Sequence, residues 1–131
     1  MKKIFAIVGL LMLAGVAPAG TEPAERMLLV SLQTVDDSGV TGYVQLTSLP
    51  GGGTRMRVSA RGLQPGRRIG AFYYANADCA GDVDLLDVFV ADASGRGEAS
   101  AAVEEEIDAI GSVAVRFGPE FGTLLACARL H

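Results

Sequence analysis

The sequence contains very little of the residue that proteins most often use as a metal ligand or catalytic base. Its 131 residues include one histidine, the last residue His131, and no tryptophan. A copper or zinc site built from several imidazoles therefore cannot form, and a Ser-His-Asp or Cys-His system would depend on a terminal side chain. A GxxxxGK[ST] phosphate-binding loop is also missing. These absences argue against the common metal-dependent, hydrolytic and nucleotide-binding enzymes.

Lysine is confined to the first three residues, directly before a long apolar run without charges. Lys2 and Lys3 precede thirteen uncharged residues at 4–16, and Ala17-Pro18-Ala19 follows. A basic start, a short apolar segment and a small-x-small site are typical of a cleavable signal peptide. The run is too short to span a bilayer comfortably, and no cysteine follows it for lipid attachment. We expect a signal peptide over 1–19, a polar lead-in over 20–26 and one domain over 27–131, located in the periplasm or outside the cell.

The rest of the chain is acidic. Residues 20–131 contain nine arginines and fifteen acidic residues, a formal net charge of −6. Because nucleic acids and anionic membranes do not bind acidic surfaces well, neither is expected as a partner. No second apolar run is long enough to cross a membrane. The expected partner is an unidentified extracytoplasmic ligand or protein, no cofactor is expected, and the oligomeric state is left open.

There are two cysteines, Cys79 and Cys127, separated by 48 positions. In an oxidising compartment an even pair predicts one disulfide. A metal site using the two thiolates is the alternative.

Turn-forming residues recur about every eight to twelve positions, a spacing typical of all-β domains. Met56, Val58 and Ala60 alternate with polar residues over Thr54–Arg61, which predicts a strand with one buried face. Residues 104–110 are either a short helix or a loop. The remaining pattern predicts seven further strands and therefore an eight-stranded antiparallel β-sandwich or barrel, over residues 27–35, 40–46, 69–74, 85–90, 97–103, 112–117 and 124–130.

Two sets of side chains are candidate binding groups. Arg55, Arg57 and Arg61 form a cationic stripe on one strand, and the aromatic pair Tyr73 and Tyr74 follows on another. Ion pairing with neighbouring carboxylates and packing in the core are the alternative roles. Carboxylates in a loop can also hold calcium, although an EF-hand spacing is lacking and a solvated loop is the simpler interpretation; these candidates are Asp78, Asp82, Asp84 and Asp87.

The order of several short motifs resembles the copper/zinc superoxide dismutase-like superfamily and the related chordin-type domains. The likeness covers about residues 27–130 and is carried by Gly39-Val40-x-Gly42-x-Val44, Val58-x-Ala60-x-Gly62-Leu63-x-Pro65-Gly66, Asp78-Cys79, Ala91-Asp92-Ala93-Ser94-Gly95, Gly111-Ser112-Val113-Ala114-Val115 and Leu125-Ala126-Cys127. The resemblance implies an eight-stranded Greek-key β-sandwich or barrel with a disulfide between Cys79 and Cys127.

The family's metal ligands do not carry over. Counted back from Cys79, the family's His-x-His pair falls at Phe72 and Tyr74; counted forward from Gly62-Leu63, it falls at Ala71 and Tyr73. The late copper-binding histidine falls at Arg116. The resemblance therefore implies the scaffold without the dismutase chemistry, since a shared fold does not imply a shared function.

The expected protein is thus an exported, metal-free, non-catalytic domain that acts as a binding or structural module. Two alternatives stay open. One is a dismutase-type enzyme with an atypical metal site, and the other is an extracellular module stabilised by calcium.

Overall fold

The structure, a computed structural model, describes residues 26–131. The predicted signal peptide and residues 20–25 of the predicted lead-in lie outside the described residues. Eight β-strands follow one another along the described chain: β1 (Met27–Thr34), β2 (Thr41–Ser48), β3 (Thr54–Arg61), β4 (Arg68–Tyr74), β5 (Asp84–Val90), β6 (Gly97–Val103), β7 (Ser112–Phe117) and β8 (Thr123–Arg129). Residues 104–110, for which a helix or a loop was predicted, contain one short 3₁₀ turn, Ile107–Ala109.

The strands form one antiparallel sheet in the order β5-β4-β7-β8-β1-β2-β3-β6. The two end strands, β5 and β6, pack side by side, which nearly closes the sheet into a barrel. Because β7 returns to lie beside β4, the spatial order β7-β4-β5-β6 is a Greek key. The predicted all-β fold with eight antiparallel strands is therefore confirmed.

The barrel interior is filled by the alternating apolar residues that the sequence pattern predicted. Val44 and Leu46 on β2 and Met56 and Val58 on β3 have no exposed surface. Their neighbours Tyr43, Arg55 and Arg57 point outward, as the twofold period of a strand requires.

A second, smaller apolar cluster lies on the outer side of β4, β7 and β8. It consists of Tyr74, Ala114, Cys79 and Cys127, with Val35, Phe72 and Leu124 packed against it. The predicted disulfide between Cys79 and Cys127 is present at the centre of this cluster. Both faces of these three strands are thus covered, one by the barrel core and the other by the loop that follows β4. No helix in the described part of the chain has the length and apolar character needed to cross a membrane.

Candidate binding site

Three neighbouring hollows follow one another from the outer face of β4 and β7 to the end of the barrel formed by the β1–β2 and β3–β4 loops. The first, which we call the outer cleft, has a volume of about 230 Å³ and lies over β4 and β7. The second is a groove of about 220 Å³, and the third, which we call the barrel-end pocket, measures about 440 Å³. Phe121 lines both the outer cleft and the groove, while Arg67 and Phe117 line both the groove and the barrel-end pocket.

The register of β4 and β7 explains which side chains reach the outer cleft. Tyr74 lies opposite Ser112, Phe72 opposite Ala114 and Gly70 opposite Arg116. Since side chains alternate along a strand, Phe72 and Tyr74 share the outer face with Arg116, whereas Tyr73 points into the barrel. The structure therefore brings together Phe72, Tyr74 and Arg116, which the family resemblance places at metal-ligand positions when counted back from Cys79, and all three line the outer cleft.

The guanidinium group of Arg116 is held by two neutral oxygen atoms. Its Nε donates a hydrogen bond to the Tyr74 hydroxyl at 2.9 Å, and its Nη2 donates one to the carbonyl oxygen of Cys79 at 3.0 Å. Within residues 26–131 it forms no ion pair with a carboxylate. Arginine has five N–H donors and remains charged at every ordinary pH, so a half-buried cation with unused donors faces the outer cleft.

Two aromatic rings form the wall of the outer cleft beside Arg116. Phe72 and Phe121 meet edge to face, with ring centroids 5.4 Å apart, and the guanidinium of Arg68 lies 5.2 Å from the Phe121 centroid. Both rings cover Gly70, where an added Cβ would lie 2.7 Å from an atom of the Phe72 ring. Glycine at position 70 therefore leaves the space in which the Phe72 and Phe121 rings pack on the sheet.

The loop between β4 and β5 closes the other side of the outer cleft. The backbone N–H of Cys79 donates to the Ser112 hydroxyl at 3.0 Å, and that hydroxyl in turn donates to the carbonyl oxygen of Asn76 at 2.7 Å. The disulfide joins the same loop to β8. Because the Cys79 carbonyl also accepts a hydrogen bond from Arg116, Cys79 connects the disulfide with the guanidinium group in the outer cleft.

Acidic residues are concentrated in the β4–β5 and β6–β7 loops and at the start of β5, and the first of these loops also borders the outer cleft. In the second loop, Glu105 Oε1 accepts a hydrogen bond from the Tyr73 hydroxyl at 3.0 Å. Burial, reinforced by this hydrogen bond and by the negative charges of Glu105, Asp84 and Glu104, raises the pKa of Tyr73 to about 12. Arg67, Arg68 and Arg116 line the three hollows, so each hollow contains at least one arginine.

The structure does not gather the other predicted binding residues into one face. Arg55, Arg57 and Arg61 are exposed on β3, on the far side of the barrel from β4, and Arg57 forms an ion pair with Glu98 at 3.1 Å. Tyr73 and Tyr74 are 8% and 2% exposed, because one lies in the barrel core and the other under the β4–β5 loop. Neither tyrosine can present its ring to a partner alongside the arginine stripe.

The residues at the resembled family's metal position do not fit a copper or zinc ion. A phenyl ring supplies no ligand atom, a guanidinium is a cation without a lone pair to donate, and the Tyr74 oxygen already accepts a hydrogen bond. Across residues 26–131, no three histidine, cysteine, aspartate or glutamate side chains come together in a metal-binding group, so Asp78, Asp82, Asp84 and Asp87 do not form a calcium cage there.

Comparison of the chain with family models and with curated proteins finds no match. The site is therefore interpreted from its own chemistry. Four of its residues were not singled out from the sequence: Arg67, Arg68, Phe117 and Phe121. The available signal was the basic pair Arg67-Arg68 at the start of β4 and the phenylalanines at the end of β7 and in the β7–β8 loop, but only the strand order places these segments together.

Proposed function

We propose that this protein is an exported, metal-free and non-catalytic binding module on a superoxide dismutase-like barrel, and that it binds a small organic anion in the outer cleft. The observation that carries the proposal is the position of Arg116. This guanidinium is half-buried, is oriented by two neutral acceptors and lacks a carboxylate partner in the described chain.

A half-buried charge is costly unless an opposite charge or several hydrogen bonds compensate for the lost water. Tyr74 and Cys79 compensate in part and, because they also fix the guanidinium, reduce the entropy lost when a ligand binds. Arginine matches the planar geometry of a carboxylate, to which it can donate two parallel hydrogen bonds. The adjoining Phe72 and Phe121 rings offer an apolar surface to the body of such a ligand.

Glu120 also lines the outer cleft and opposes this charge preference. Its side chain is exposed, however, so its charge is hydrated and does not neutralise Arg116. Substitution of Glu120 therefore tests the charge preference of the cleft, because removal of this negative charge should strengthen the binding of an anion.

The experiment is a titration of the isotope-labelled protein with benzoate, acetate and phosphate, followed by backbone amide NMR. Benzoate is expected to perturb residues around Arg116 and Phe121 and to bind more tightly than acetate. Arg116→Gln should weaken benzoate binding about tenfold, the value of one charge-assisted contact, and Glu120→Gln should strengthen it.

The matched control is Arg55→Gln, which removes an exposed arginine on the far side of the barrel and should leave the affinity unchanged. The proposal is wrong if none of the three anions perturbs the cleft at millimolar concentration, or if Arg116→Gln and Arg55→Gln have equal effects.

A further inference from the structure

The barrel-end pocket lies at the end of the barrel where the β1–β2 and β3–β4 loops meet. Its floor is apolar and comes from Val40, Leu63, Ile69 and Leu125. These residues belong to the β1–β2 loop, the β3–β4 loop, β4 and β8. Ligand pockets of proteins are typically of this size and are lined by apolar side chains with few polar groups.

The pairing of β8 is irregular beside the barrel-end pocket. The pairing of β8 with β7 shifts register between Leu124 and Ala126, so that Leu125 leaves the ladder. Its carbonyl oxygen instead accepts hydrogen bonds from the Val35 N–H at 3.0 Å and from the Ser38 hydroxyl at 2.6 Å. Bulges of this kind occur at the rims of barrels and next to functional sites.

The turn that Leu125 holds is itself in an uncommon conformation. Asp36 and Asp37 are consecutive residues with positive φ, 52° and 58°. Aspartate tolerates this region better than most residues, yet two in succession need support from the surrounding structure. Opposite this turn, Gly62 lies so close to Gly39 that an added Cβ would overlap the Gly39 carbonyl oxygen. The rim is thus built from two loops fixed against each other.

The charged groups of the pocket differ in their hydration. Asp36 is exposed, whereas Arg67 is half-buried, with its guanidinium 4.5 Å from the centroid of the Phe117 ring. In the described chain Arg67 forms no ion pair with a carboxylate. The positive charge is therefore the less hydrated of the two and has no carboxylate partner within residues 26–131, and the Phe117 ring packs against it.

We infer that the barrel-end pocket binds an aliphatic monocarboxylate, with the chain on Val40, Leu63, Ile69 and Leu125 and the carboxylate on Arg67. This site is separate from the outer cleft, does not depend on the proposed function, and takes a ligand with a larger apolar part.

Octanoate, octan-1-ol and acetate are the probes that separate the two parts of the ligand. In methyl NMR spectra of the full mature protein, octanoate should perturb Leu63, Ile69 and Leu125 and bind more tightly than either other probe. Arg67→Gln should weaken octanoate binding about tenfold and leave octan-1-ol binding unchanged. Arg116→Gln and Arg55→Gln should alter neither.

Three outcomes would overturn the inference. These are perturbation of the outer cleft alone, the absence of any perturbed methyl group at millimolar concentration, and an octanoate affinity that is insensitive to Arg67→Gln in a variant whose amide spectrum shows a native fold. Because Arg67 packs on Phe117, Arg67→Lys is the second variant. It keeps the positive charge, so octanoate binding should fall by less than it does in Arg67→Gln.

Discussion

Tyr74 and Arg116 are joined across β4 and β7 by a hydrogen bond of 2.9 Å, in which the guanidinium Nε donates to the phenol oxygen. The ring of Tyr74 is 2% exposed and packs in the outer apolar cluster beside the disulfide. Tyr74 therefore packs within the domain and also orients the Arg116 guanidinium in the outer cleft. The packing of the domain and the geometry of the outer cleft are thus coupled at this pair.

Tyr74→Phe tests that coupling. The substitution preserves the ring but removes the oxygen that accepts from Arg116, so we expect a loss of about 1–3 kcal/mol in the free energy of unfolding and weaker benzoate binding. Chemical denaturation measures the first effect. Tyr43→Phe is the control, since Tyr43 is 38% exposed and its hydroxyl has no hydrogen bond in the described chain. A Tyr74→Phe protein as stable as the Tyr43→Phe protein would contradict this account.

Removal of the disulfide should affect both stability and the outer cleft. With Cys79→Ala and Cys127→Ala combined, we expect a loss of roughly 2–5 kcal/mol, because the bond closes a 48-residue separation in the unfolded chain. Since the Cys79 carbonyl orients Arg116, benzoate affinity should fall as well. Urea denaturation and the same NMR titration measure these two effects. A benzoate affinity equal to that of the parent protein would show that the disulfide does not orient Arg116 for binding.

The raised pKa of Tyr73 makes stability depend on pH in the alkaline range. The ordinary tyrosine pKa of 10.0 applies to the unfolded chain, and the folded value is about 12. The folded state therefore holds the phenolic proton more tightly, its advantage is complete below pH 10, and it is lost as pH rises from about 10 to about 12. Ultraviolet titration of tyrosinate should show a step near pH 12 that disappears in Tyr73→Phe.

Glu105→Gln checks the cause of that shift. Removal of the nearest negative charge should lower the pKa of Tyr73, whereas Glu104→Gln, a more distant charge, should lower it less. Equal titration curves for the parent protein and Glu105→Gln would show that burial alone sets the value.

Gly62 and Gly66 form a matched pair in the loop between β3 and β4. Their φ angles are nearly equal, 82° and 81°, but an added Cβ at Gly62 would overlap the Gly39 carbonyl oxygen, whereas nothing lies within 4 Å of the position at Gly66. Gly66→Ala should cost about 1–2 kcal/mol from backbone strain alone. Gly62→Ala should lower the free energy of unfolding by more, because the loop that contains Gly39 must also move away to make room for the added methyl group. Thermal unfolding of the two variants gives the comparison, and a smaller loss for Gly62→Ala would contradict it.

Much of the secondary structure could be predicted because the sequence alternates clearly. Thr54–Arg61, Gly97–Val103 and Ser112–Phe117 begin and end where the pattern indicated. The other strands differ by one or two residues at their ends, where hydrogen bonding rather than side-chain pattern decides the boundary. The cysteine count and the family resemblance both led to the disulfide.

The site was less accessible from sequence. Alternation places Phe72 and Tyr74 on one face, but it does not reveal that the β4–β5 loop covers that face and buries Tyr74. Arg67 and Phe117 lie 50 positions apart in the sequence, and their contact depends on the pairing of β4 with β7. Leu124 and Leu125 line the barrel-end pocket at a register shift in β8. The residues around Leu125 give no local signal for this shift.

The two apolar clusters lie on opposite sides of the same three strands. Ile69, Ala71 and Tyr73 of β4 belong to the barrel core, while Phe72 and Tyr74 belong to the outer cluster. Substitutions confined to the outer side therefore leave the side chains of the barrel core unchanged, whereas substitution of Tyr74 or of the disulfide also removes contacts within the outer cluster. Such an arrangement gives protein engineers an outer surface that can be varied around Arg116 while the barrel interior stays constant.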